Sequence, residues 1–148
     1  MSTHTRILYQ VVFASKNRHA FLTPENQNRL FSYIVGMIKK RNCYCYIVGG
    51  HQDHIHLIFE LNPDYKLSDL VKEIKNASNT FMKQQIDLFP NFIAWQIGYG
   101  AFSYHRDSLP FLTKYVTNQE SNHKNMDYRD ELIKLYIEHG IEYDDRYL

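Results

Sequence analysis

A chain of 148 residues that is 44% hydrophobic can bury one ordinary core, which excludes a disordered polypeptide and favours a single domain over residues 1–148. The net charge of +1 does not announce a nucleic-acid partner, yet residues 1–50 carry seven Lys and Arg against one acid, Glu25. That basic third could supply phosphate contacts or be plain surface charge. No apolar run approaches the roughly 20 residues of a bilayer span, so no membrane partner is expected.

Arg6–Ala14 is rich in branched and aromatic residues and predicts a strand. A basic loop with Lys16 and Arg18 follows. Thr23-Pro24 then predicts a helix start, with an apolar stripe at Leu30, Phe31, Ile34, Val35 and Ile38 that ends in Lys39-Lys40-Arg41. Tyr44–Val48 predicts a second strand broken by Gly49-Gly50, and His54–Leu61 a third, joined as an antiparallel hairpin. Cys43 and Cys45 suit reduced thiols in a cytoplasmic protein rather than a disulfide or a zinc site. Ser68 predicts the cap of a long helix, in which Leu67, Leu70, Val71, Ile74, Ala77, Phe81 and Met82 repeat at three and four, ending near Asp87–Pro90. Phe92–Tyr104 predicts a fourth strand with an irregularity at Gly98 and Gly100. Asp107 or Ser108 predicts the cap of a helix to about His123, and residues 125–148 form a helical tail containing Asp130–His139. The order β-α-β-β-α-β predicts an α+β, ferredoxin-like fold, an antiparallel sheet with helices on one face and a further helix carrying Tyr115. The other sheet face is expected to stay open for a ligand, as in RRM domains.

In the strand His54-Ile55-His56-Leu57, residues two apart point the same way. Both imidazoles therefore leave one face, where two nitrogen donors suit a divalent cation, although a packed histidine pair is the plain alternative. His51 and Asp53 are near but are not assigned to the metal. Tyr115 and Gln119, four apart on one helical face, offer a phenol nucleophile and a hard oxygen ligand for Mg²⁺ or Mn²⁺. Unaided, Tyr115 would read as a core residue.

At these residues the chain resembles the single-tyrosine HUH transposases of the insertion sequence 200/605 family. The likeness runs in order through the Lys16–Arg18 loop, Asp53-His54-Ile55-His56 and the helix around Asp69–Phe81. It continues through Trp95…Gly98-Tyr99-Gly100-Ala101-Phe102-Ser103 to Tyr115-Val116-Thr117-Asn118-Gln119-Glu120, with His123 downstream. The resemblance implies that His54, His56 and Gln119 hold one Mg²⁺ or Mn²⁺ on the scissile phosphate of single-stranded DNA. It implies attack by Tyr115 to give a 5′-phosphotyrosine and a free 3′-OH, then rejoining. It also implies hairpin recognition at transposon ends and a homodimer whose active sites are shared between subunits, in the nucleoid-associated cytoplasm of a bacterium or archaeon. Lys16, Arg18, Lys39, Lys40 and Arg41 are the charge-based candidates for DNA contacts. Tyr99 and Phe102 could stack on bases, with sheet packing the expected role of both.

A non-catalytic RRM-like binder would use the same sheet but place aromatics where His54 and His56 stand. A histidine-triad hydrolase would need a third alternating histidine where Ile58 stands. A domesticated relative acting on genomic repeat hairpins would share the chemistry.

Overall fold

The structure, a computed structural model, describes residues 2–124 and 126–148, apart from the side chain of Tyr147. Its elements are β1 (Leu8–Ala14), α1 (Gln27–Lys40), β2 (Tyr44–His51), β3 (His54–Glu60), α2 (Leu67–Gln84), β4 (Gly100–Tyr104), α3 (Leu109–Thr117), α4 (Gln119–Asn122) and α5 (Tyr128–Glu138). All strand neighbours are antiparallel, in the order β2-β3-β1-β4. This is the expected ferredoxin-like α+β fold. No helix among the described residues is long and apolar enough to cross a membrane.

Strand alternation decides what each face becomes. Val11 and Phe13 of β1 and Ile55, Leu57 and Phe59 of β3 point to one face, where α1 and α2 cover them. The main core forms there, with Leu30, Ile34 and Ile38 of α1 and Leu70, Val71 and Ile74 of α2 buried. The opposite face is not open, contrary to expectation. Val12, Ala14 and Phe102 pack there against Tyr128, Leu132 and Leu135 of α5, while Ile58 packs against Leu112 and Val116 of α3. The apolar side chains on α3 and α5 need burial, and this sheet face is the surface that provides it.

Several boundaries differ from the sequence reading, each for a local reason. Gly49 and Gly50 do not break β2, which continues to His51. A Cβ at Gly49 would lie 2.6 Å from Val116 Cγ1 and 2.9 Å from the Val116 carbonyl oxygen, so the glycine lets α3 approach the strand. Residues 92–99 do not join β4. Phe92 and Trp95 instead turn into the main core, meeting Phe21 edge-on at 5.1 and 5.3 Å between ring centroids. Lys75 Nζ donates to the carbonyls of Gln96 (2.9 Å) and Gly98 (2.5 Å), and Gly98 takes φ +87°. Neither Thr23 nor Ser68 caps a helix. Thr23 closes a turn with Asn26 ahead of α1, and α2 begins one residue before Ser68. The helix expected as far as His123 divides at Asn118 into α3 and α4.

Candidate active site

The polar stripe on the α3/α5 face begins with the strand alternation that buries Ile55 and Leu57 on the other side. It leaves His54 and His56 pointing together, their rings 5.2 Å apart and both fully buried. Each ring is oriented from behind. His54 Nδ1 lies 2.7 Å from Asp53 Oδ1, and His56 Nδ1 lies 2.8 Å from Gln10 Oε1. Gln10 is itself turned by donating to Tyr104 Oη at 2.8 Å. Both Nε2 atoms therefore face inward, as metal-binding histidines do when a carboxylate or amide oxygen holds the other ring nitrogen.

α4 brings Gln119 to the same point, its Oε1 3.1 Å from His54 Nε2. The break at Asn118 keeps backbone bonds from Asn118 N–H to the Lys114 carbonyl and from Asn122 N–H to the Asn118 carbonyl, and side chains reinforce it. Asn122 Nδ2 and Gln119 Nε2 donate to the Tyr115 carbonyl at 2.8 and 3.4 Å, which fixes the end of α3 to α4. His123 Nε2 adds a fourth contact, 3.1 Å from Gln119 Oε1.

Glu131, fully buried on α5, joins these groups. Its Oε1 lies 2.9 Å from His56 Nε2, 3.2 Å from His54 Nε2 and 3.2 Å from His123 Nε2. Its other oxygen accepts from the Tyr115 hydroxyl and from Gln119 Nε2. One carboxylate thus spans the histidines and the tyrosine. Sequence reasoning missed it. The signal was present, because Tyr128, Glu131, Leu132 and Leu135 fall on one helical stripe, where a lone acid among apolar residues points at the core. His123 was noted as part of the motif but given no role, and Gln10 was not singled out.

The charges follow this geometry. Burial alone would lower the pKa of His54, but the hydrogen bonds and charges of Asp53 and Glu131 lift it to about 9. Burial lowers that of His56. Burial opposes ionisation of Glu131, yet His56, His123 and His54 together hold its carboxyl far below the usual carboxylate range. Burial, then the Glu131 charge, pushes the Tyr115 phenol well above its ordinary value, so this tyrosine is protonated.

The donor set fits a divalent cation. With Nδ1 of each histidine facing an oxygen, loss of the Nε2 protons would leave His54 Nε2, His56 Nε2, Gln119 Oε1 and Glu131 Oε1 as four donors turned to one point. Nearest neighbours among them are 2.9 to 3.2 Å apart. About 3 Å is the edge of an octahedron with bonds of about 2.1 Å, so a cation that took the place of the Nε2 protons would fit between them. His54, His56 and Glu131 together meet the geometric requirement for a metal-holding group.

Of the other candidates, Lys16 and Arg18 occupy a short 3₁₀ turn at the His54 end of the sheet. Lys39, Lys40 and Arg41 end α1, next to the β2 residues that pair with Glu60 at the far end of β3. The two basic groups are not brought together, and Arg41 faces Glu73 at 3.5 Å. Phe102 is buried as expected, whereas Tyr99 lies outside β4 and is 37% exposed.

The geometry defines a class, a ferredoxin-like sheet bearing a histidine pair with a tyrosine and a glutamine on an adjoining helical segment. The family profile described as "Transposase IS200 like" matches residues 3–119, and the chain belongs to that family of transposases. Two solved structures share the fold. One is a candidate transposase from Deinococcus radiodurans R1, with TM-score 0.59, 20% identity, and coverage of 80% of this chain and 95% of that one. The other is the REP-associated tyrosine transposase bound to a REP hairpin, with TM-score 0.58, 17% identity, and coverage of 92% and 88%. Among curated proteins no sequence matches.

Proposed function

We propose that this transposase nicks single-stranded DNA with Tyr115 and rejoins it through a 5′-phosphotyrosine. The observation that carries the reading is the contact of Tyr115 with Glu131, whose other oxygen faces His54 and His56. A Mg²⁺ or Mn²⁺ ion held by His54, His56 and Gln119, with Glu131 beside them, would supply the charge that polarises the scissile phosphate. Tyr115 Oη attacks phosphorus, and the strand breaks to leave the 5′-phosphate on the tyrosine and a free 3′-OH. The phenolic proton passes towards Glu131, which already accepts its hydrogen bond, and the departing 3′-oxygen takes up a proton. A 3′-OH later attacks the phosphotyrosine and reverses these transfers, so no external energy source is needed.

Lys16 and Arg18 lie at the same end of the sheet as His54 and are the better-placed phosphate contacts. Lys39, Lys40 and Arg41 would serve a more distant part of the DNA. A hairpin is the expected recognition element, since a structural neighbour carries one, whether at a transposon end or in a genomic repeat. In a homodimer that exchanges Tyr115 between subunits, the tyrosine would meet the histidines of the partner chain instead of those of its own, which it faces in the single chain. Mixing Tyr115→Phe with His56→Ala subunits restores nicking if sites are shared and leaves both silent if they are not.

The test is nicking of a labelled single-stranded oligonucleotide with a hairpin, resolved on a denaturing gel. Label that travels with the protein and is lost with EDTA and with Tyr115→Phe supports the reading. Hairpin binding without cleavage under Mg²⁺ or Mn²⁺ leaves the non-catalytic binder instead.

A further inference from the structure

On the side of Tyr128 away from the catalytic groups lies a cavity of about 420 Å³ that none of the site histidines lines, within the roughly 300–1,000 Å³ of small-ligand sites. Its walls come from the turn after β1 (Ser15, Arg18), the segment before β4 (Gly98, Tyr99) and α5 (Tyr128, Tyr136). The nicking chemistry gives it no task.

Tyr128 connects the cavity to the catalytic groups. Its ring stacks on His54, with centroids 4.5 Å apart and planes 29° apart, and the Arg18 guanidinium stands 5.4 Å from its centroid. The residue is 3% exposed, and its hydroxyl is buried with no hydrogen-bond partner among the described residues. A buried hydroxyl left unpaired is costly and uncommon, which implies a partner that arrives from outside the chain. The backbone beside it is also held out of its preferred range. Asn17 and Arg18 take φ 57° and 55° in succession, and Arg18 is a residue that seldom does so. On the far wall, Gly98 at φ +87° has nothing within 4 Å of where a Cβ would stand, so the mouth is open there.

We propose that this cavity receives one unpaired DNA base next to the nicked phosphate. The Tyr128 hydroxyl would bond to the polar edge of the base, and Arg18 would hold an adjoining phosphate. Tyr99 and Tyr136 provide aromatic walls of the kind that unstacked bases occupy. Stacking tolerates any base, and a hydroxyl can donate or accept, so selection comes from where the held Tyr128 hydroxyl stands: it favours a base with a polar atom at that point of its edge. The proposal rests on the nicking reading for its substrate.

Two experiments separate the proposal from that reading. In the first, the protein cleaves a hairpin oligonucleotide with a randomised single-stranded flank, and the cut products are sequenced. One flanking position should show a base preference that falls about fivefold in Tyr128→Phe, the worth of one hydrogen bond. That preference is a ratio within each sample, so it is independent of total activity. An unaltered preference in Tyr128→Phe overturns the proposal. In the second, Tyr115→Phe protein, which needs no catalysis, is irradiated with the same oligonucleotide carrying 5-iodouracil, and crosslinked peptides are mapped. Crosslinks at Tyr99, Tyr128 or Tyr136 support the cavity even if the wild type never cuts. Crosslinks found only outside the cavity overturn it even if cutting is efficient.

Discussion

The two faces of the sheet are built from the same strands and do opposite work. On the α1/α2 face, Phe13, Ile55, Leu57 and Phe59 belong to one continuous apolar core. On the α3/α5 face, two smaller apolar clusters flank a buried polar stripe of Gln10, His54, His56, Gln119 and Glu131. The first face supplies cohesion, since apolar burial is the main favourable contribution to folding. The second uses that rigidity to hold groups that would otherwise prefer water. Strand alternation lets one β3 strand serve both, and a shift of one residue in its register would exchange them.

This contrast can be broken from either side. The largest expected effect is on the apolar face. Phe13 is fully buried and meets Trp95 edge-on at 4.8 Å. Phe13→Ala should cost about 3–5 kcal/mol, seen as a lower denaturant midpoint at unchanged slope. Metal binding by the protein that remains folded should be preserved. On the polar face the order reverses. Glu131→Gln keeps the shape and removes the charge, and should weaken Mn²⁺ binding by about 10–100-fold in a calorimetric titration. Equal Mn²⁺ affinity in the variant and the parent would remove Glu131 from the metal's surroundings. The smallest effect lies on the same face, where α3 rests on β2. Gly49→Ala would press a Cβ on the backbone of Val116 and should cost about 1–3 kcal/mol. Nicking should fall further than that loss of stability explains, because α3 carries Tyr115.

Legibility in the sequence followed the same division. The apolar face could be read from periodicity alone, since Leu30, Ile34 and Ile38 and then Leu70, Val71 and Ile74 are core residues in the positions their spacing required. His54 and His56 could be placed on one face because two-residue alternation is local. The four-residue spacing of Tyr115 and Gln119 placed them together for the same reason, although a break at Asn118 intervenes. The stripe Tyr128, Glu131, Leu132 and Leu135 marked Glu131 as facing inward, but what it faces lies 75 residues away, at His56. The apolar stripe of α5 shows that this helix must pack somewhere, but that it closes the second sheet face is a tertiary choice that local spacing does not name. The fourth strand was overextended because Phe92 and Trp95 have strand-like chemistry but serve the core instead.

The central claim is that Tyr115 is the atom source of the covalent link to DNA. The most direct measurement is tandem mass spectrometry of the protein after reaction with a hairpin-bearing single-stranded oligonucleotide, Mg²⁺ or Mn²⁺, nuclease and protease. The expected result is a nucleotide 5′-phosphate on the peptide containing Tyr115, with fragments that place it on that residue. A nucleotide adduct on Tyr128 or another tyrosine, with Tyr115 unmodified, would contradict it.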